Sequence, residues 1–103
     1  MNLKRIEARG LQFDTRPLSS DPKAIQEVVT KNGYGRKEFQ VRAGETWLDL
    51  GANIGAFSCF AASKGAIVKG AYEPEPNNAA LAEHNIALNG FSIPVIRQAV
   101  IAD

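Results

Sequence analysis

The chain has 103 residues, 45% of them hydrophobic and 22% charged, which suits one small soluble domain with one core and leaves no room for a second. Twelve basic residues against 11 acidic ones give a formal net charge of +1, so charge marks neither a nucleic-acid nor a membrane surface. The start, Met1-Asn2-Leu3-Lys4-Arg5-Ile6-Glu7, lacks the apolar run of a signal peptide, and no segment approaches the roughly 20 apolar residues of a membrane span; a cytoplasmic protein is expected.

Leu3, Ile6, Leu11 and Phe13 around Gly10 predict two short strands joined by a turn. Asp21-Pro22 predicts a helix start, with the Asp side chain capping free amides and proline at the first helical position. That helix runs to about Lys31, with Ile25, Val28 and Val29 on one face and Gly33 just past its end. Phe39 and Val41 suggest a short strand, and Ala43-Gly44-Glu45 a turn.

From Thr46 the order becomes strand, turn, helix, strand, helix, strand, which is α/β organisation. Trp47-Leu48-Asp49-Leu50 predicts a strand buried on both faces of a parallel sheet. After the turn Gly51-Ala52-Asn53-Ile54-Gly55, a helix to Lys64 turns Phe57, Phe60 and Ala61 inward and stops at Gly65. A second strand covers Ile67 to Tyr72 and closes on Glu73-Pro74-Glu75-Pro76. A second helix begins near Pro76 or Asn77, buries Leu81, Ala82, Ile86 and Leu88, and ends at Asn89-Gly90. The third strand is expected over Ile93 to Ile101, at a sheet edge because Pro94 cannot donate to a central ladder. Cys59, the single cysteine, excludes an intrachain disulfide and reads as a small buried apolar residue; His84 reads as a surface or packing residue within its helix.

Three features converge where open α/β sheets bind ligands, at the carboxyl ends of the first two strands. Gly51 and Gly55 allow a sharp turn ahead of a helix amino terminus, although a glycine turn alone can be a mere connection. Glu73 ends the second strand close to the spacing of about 20 residues at which such folds place an acid on ribose hydroxyls, and a carboxylate can accept from both hydroxyls of a diol. Asp49 bears on the choice of cofactor. One charge pair at about 4 Å and an effective dielectric near 20 is worth about 4 kcal/mol before desolvation, so a carboxylate here opposes a pyrophosphate and favours an ammonium and a sulfonium. The dinucleotide pattern G-x-G-x-x-G would need glycine at position 53, where this chain has Asn53. Asp49 could instead cap local amides.

Trp47-Leu48-Asp49-Leu50-Gly51-Ala52-Asn53-Ile54-Gly55-Ala56-Phe57, then Tyr72-Glu73-Pro74-Glu75-Pro76-Asn77-Asn78 and Asn85-Ile86-Ala87-Leu88-Asn89-Gly90, resemble the D-x-G-A-N-x-G, E-P-x-P and N-x-x-L-N-G motifs of the FkbM family of methyltransferases. The resemblance covers about residues 20 to 103 and implies a Rossmann-like class I methyltransferase fold of three layers, with S-adenosyl-L-methionine as cofactor. It further implies that Asp49, Gly51, Ala52, Asn53 and Gly55 surround the methionine portion, that Glu73, with Pro74 beside it, holds the ribose, and that Gln98 and Ala99 approach the adenine. Members transfer a methyl group to oxygen or nitrogen, most often a hydroxyl of a sugar, polyketide or related metabolite, so a small-molecule acceptor is expected, with no nucleic acid, membrane or metal. No residue presents itself as the catalytic base.

The chain stops at Asp103, after the third strand, where the resemblance implies a second half bearing the acceptor pocket. Residues 46–103 therefore read as the incomplete cofactor-binding half of a methyltransferase domain, inactive alone, and residues 1–45 as strands and a helix preceding it. The open edge of the first strand is expected to be covered by the amino-terminal strands, by self-association with a second copy, or by the missing half supplied separately. A module that binds an adenosyl ligand or a protein without turnover is the competing reading, and half of a nicotinamide-dependent oxidoreductase a third.

Overall fold

A computed structural model of the chain describes residues 2–31 and 40–101; Gly33, Phe39 and Asp103 lie outside the described residues. Strands β1 (Lys4–Ala8) and β2 (Leu11–Thr15) form an antiparallel hairpin, turning at Arg9-Gly10 with Gly10 at φ 83°. Helix α1 (Asp21–Ile25) has Pro22 in its first turn and passes into a π-helical turn over Gln26–Thr30, closed by Lys31 N–H donating to the Gln26 carbonyl at 3.0 Å. Asp21 does not cap this helix. Its carboxylate turns back to accept from the Arg16 amide and to hold the Arg16 guanidinium at 2.8–2.9 Å, because the charged partner outcompetes neutral amides.

The second part holds β3 (Thr46–Leu50), α2 (Ala56–Ser63), β4 (Ile67–Tyr72), α3 (Pro76–Leu88) and β5 (Val95–Ile96). The strands are parallel in the order β3-β4-β5. The two crossover helices α2 and α3 pack against each other and against the sheet, and Val95 packs against the same core. Strand β3 is consequently covered on one side only: Asp49 is buried, Trp47 stacks on Phe57 at 5.4 Å between ring centroids, and Leu48 and Leu50 are 54% and 57% exposed. The expected burial on both faces is thus corrected.

Other sequence expectations shift at element boundaries. Val41 packs against the core but belongs to no strand. The third strand pairs only over Val95–Ile96, because the Gln98 amide folds back onto the Ile96 carbonyl at 2.9 Å. Pro94 sits just before this edge strand and contributes only its carbonyl, which accepts from Ala71 N–H at 2.9 Å. Hairpin β1-β2 does not extend the parallel sheet; it is a separate sheet that packs against α3, so the amino-terminal strands leave the open edge of β3 uncovered.

One apolar core joins both parts. Phe13 from the hairpin and Ile25 and Val29 from the first helical segment meet Ile54, Cys59, Phe60, Leu81 and Ile86. Burial of apolar area on this scale, at about 25 cal/mol per Å², is the main force holding the hairpin on the helices.

Candidate functional site

The site lies where β3 and β4 end side by side. The parallel register brings Leu50 opposite Tyr72, so the next residues, Gly51 and Glu73, leave the sheet together. Gly51 N–H and Ala52 N–H both donate to the Tyr72 carbonyl at 2.8 Å, extending the ladder into the turn. Three turn residues, Gly51, Asn53 and Gly55, have positive φ of 81°, 52° and 92°. Asn53 takes a left-handed conformation that asparagine tolerates better than most side chains. Position 53 thus has a backbone conformation that glycine would also adopt, and the absence of glycine there does not by itself exclude a dinucleotide turn. Gly55 is required twice: by its φ, and because a Cβ there would lie 3.2 Å from the Ala82 carbonyl oxygen of α3.

Glu73 is 7% exposed and joins the two loops. Its Oε1 accepts from Asn53 N–H at 2.7 Å and its Oε2 from Glu75 N–H at 3.1 Å. A carboxylate has about four acceptor positions, so two such bonds fix its orientation while leaving capacity for a diol. Pro74 follows it, exposed, and Glu75 caps α3 by accepting from Asn78 N–H at 2.6 Å. Asn77 and Asn78, expected to shape this loop or cap the helix, are the second and third residues of α3.

Asp49 is 6% exposed, beneath the start of α2, where its Oδ2 accepts from the Ser58 hydroxyl at 2.7 Å. Burial pushes its carboxyl up from the ordinary value; the Ser58 hydroxyl and amide oppose that rise, and the nearby Glu73 charge adds to it. Asp49 thus lies beneath the first turn of α2, near enough to Glu73 to feel its charge. Ser58 was not singled out from sequence; its spacing from Asp49, nine residues on and in the first turn of α2, was the available signal.

Of the five turn residues 51–55, four donate their amides within the protein: Gly51 and Ala52 to Tyr72, Asn53 to Glu73, and Gly55 to the Ala52 carbonyl. Such a turn offers few amides to a pyrophosphate, and the carboxylates beside it repel one. Gln98 and Ala99 are exposed beyond β5; the structure relates that strand to Glu73 through the Ile96 carbonyl, which accepts from Glu73 N–H at 3.0 Å.

Two expectations outside the turn agree with the geometry. Cys59 is fully buried and burial pushes its thiol up to about 12, as suits an inert packing residue. His84 is half exposed on α3 and pairs with Asp14 at 2.6 Å. Among the described residues, no group of three or more His, Cys, Asp or Glu side chains is placed to hold a metal ion, and no helix is long and apolar enough to cross a membrane.

Parallel strands in sequential order, with α2 and α3 packed against them, form part of a Rossmann-like α/β fold. Solved structures agree. A protein assigned as an S-adenosylmethionine-dependent methyltransferase from Streptococcus mutans superposes with a TM-score of 0.63 at 20% identity, over 93% of this chain and 26% of its own. The M. jannaschii tRNA m1G37 methyltransferase superposes with a TM-score of 0.59 at 19% identity, over 95% of this chain and 30% of its own. The chain thus spans less than a third of either structure. No family profile matches it, and no curated protein is significantly similar.

The second structure corrects one expectation. The small-molecule acceptor with nucleic acid excluded does not stand, because a tRNA methyltransferase is built on the same half-domain. A near-neutral net charge over 103 residues does not by itself exclude a nucleic-acid acceptor.

Proposed function

We propose that this chain is the cofactor-binding half of an S-adenosylmethionine-dependent methyltransferase, of a kind resembling the FkbM family, with residues 46–103 as the binding unit and residues 1–45 preceding it. The observation that carries the reading is the junction of the two loops: Glu73, fixed by the Asn53 and Glu75 amides, beside a turn whose own amides are mostly committed and beneath which the Asp49 carboxyl is buried. That donor set fits a cationic nucleoside better than a doubly negative pyrophosphate. When bound, S-adenosylmethionine supplies a methyl group activated on a sulfonium.

In this reading Glu73, with Pro74 shaping its loop, accepts from the ribose hydroxyls. Asp49, Gly51, Ala52, Asn53 and Gly55 form the wall for the methionine portion, with Asp49 acting through its field from below the turn. Gln98 and Ala99 flank the adenine. Catalysis of such a displacement rests chiefly on holding the acceptor in line with the sulfur–methyl bond. The tRNA methyltransferase among the similar structures makes nucleic acid the first acceptor class to test.

Calorimetry with S-adenosylhomocysteine tests the reading. The chain is expected to bind, and Glu73→Ala to weaken binding at least tenfold; equal affinity for both removes the ribose role. Tighter binding of NAD than of S-adenosylhomocysteine would turn the assignment to a dinucleotide enzyme.

A further inference from the structure

Asn85 and Asn89 lie four residues apart on α3, and both direct their side-chain amides onto β2. Asn85 Oδ1 accepts from Asp14 N–H at 2.8 Å, and its Nδ2 donates to the Asp14 carbonyl at 3.2 Å. Asn89 repeats the pair on Gln12, at 2.8 Å in each direction. The spacings agree physically. Four helical residues rise about 6.0 Å and two strand residues about 6.6 Å, so two carboxamides at i and i+4 meet alternate residues of a strand. They satisfy the edge of β2 that faces away from β1.

The two asparagines then diverge. The remaining Asn89 donor goes to the Asn85 carbonyl of its own helix at 2.8 Å. Asn85 Nδ2 instead also donates to the Ile54 carbonyl at 3.0 Å, inside the turn between β3 and α2. Asn85 is fully buried, and its three partners match what a carboxamide offers: one acceptor for an amide and donors for two carbonyls. Ile54 directly follows Asn53, the left-handed residue whose amide orients Glu73.

We propose that Asn85 is a positioning residue for the candidate cofactor site: by tying the Ile54 carbonyl to β2, it holds the Asn53 amide, and through it the Glu73 carboxylate, in place. The ligand arm of its test rests on the S-adenosylmethionine reading; the backbone arm does not. Asn89 anchors the same helix to the same strand without reaching the turn, and is the control for a purely structural role.

The experiment compares the full chain with Asn85→Ala and Asn89→Ala at a temperature where circular dichroism shows all three folded. Asn85→Ser, which keeps one hydroxyl donor, replaces Asn85→Ala if the latter does not fold. In the ligand-free chain, amide hydrogen exchange at Asn53 and Gly55 is expected to accelerate at least tenfold in the Asn85 variant and less than twofold in Asn89→Ala. S-Adenosylhomocysteine affinity is expected to fall at least tenfold and less than twofold respectively. Equal effects of the two variants on either readout, or an unchanged turn in the Asn85 variant, overturn the proposal. A wild-type chain that does not bind S-adenosylhomocysteine overturns the cofactor reading instead, and hydrogen exchange alone then decides whether Asn85 holds the turn.

Discussion

Asp49 and Glu73 are both acids at the ends of neighbouring strands, yet the structure treats them differently. Glu73 is held by amides from two loops, while Asp49 is buried under the helix start, where burial raises its pKa and makes its charged form more costly than in water. The linkage follows from the sign: a carboxyl whose folded pKa lies above its unfolded value contributes most when protonated, and its contribution shrinks as pH rises through that range. Asp49→Asn, isosteric and still able to accept from Ser58, is therefore expected to keep or slightly raise thermal stability at neutral pH while weakening a cationic adenosyl ligand several-fold. A melt showing lost stability together with unchanged affinity would refute this division of roles. At Gly55, alanine would combine a φ of 92° with a Cβ pressed on the Ala82 carbonyl, and the expected loss is about 2 kcal/mol or more by chemical denaturation. Asn53→Gly should cost only a few tenths of a kcal/mol, since glycine adopts the same backbone freely.

At the level of elements, the hairpin is joined to α3 by polar groups as well as by Phe13. Asn89→Ala leaves the part-buried amide and carbonyl of Gln12 without their side-chain partner, and a loss of about 1–2 kcal/mol is expected in urea unfolding. Asp14 adds a pH-dependent contribution. Its bond to Arg5, with His84 assisting, lowers its carboxyl to about 2. An acid with a depressed folded pKa stabilises above its unfolded value near 4, and that stabilisation fades as pH falls from about 4 towards about 2. Because the Arg5 side chain is largely exposed, the effect should be no more than about 1 kcal/mol. Asp14→Asn should flatten the stability profile between those pH values; an unchanged slope would contradict the assignment.

For the molecule as a whole, the main asymmetry is a parallel sheet with helices on one face only. Leu48, Leu50, Tyr72 and Ile96 are on the other face, with Leu48 and Leu50 more than half exposed. Exposed apolar surface of this kind limits solubility without supporting the fold. Leu50→Thr is therefore expected to lower concentration-dependent light scattering while leaving unfolding free energy within about 0.5 kcal/mol. A larger destabilisation would mean that Leu50 packs in solution.

Much of this architecture is visible in local sequence because its causes are local. Glycines at 51, 55, 65 and 90 punctuate the chain at positive φ, Pro76 opens α3, and the 67–72 strand is found where its apolar run places it. The meeting of Glu73 with the 51–55 turn also follows from periodicity, since adjacent parallel strands of similar length must deliver their ends together. What depends on the choice of partner after packing was beyond that reach. Asp21 turned to Arg16 rather than to its own helix, Asn85 and Asn89 bridged to a strand more than 70 residues away, and Leu48 and Leu50 stayed exposed. Each depends on which groups become neighbours once the chain is packed, and one side chain's hydrogen-bonding capacity or hydrophobicity states what it can do without stating what it will meet.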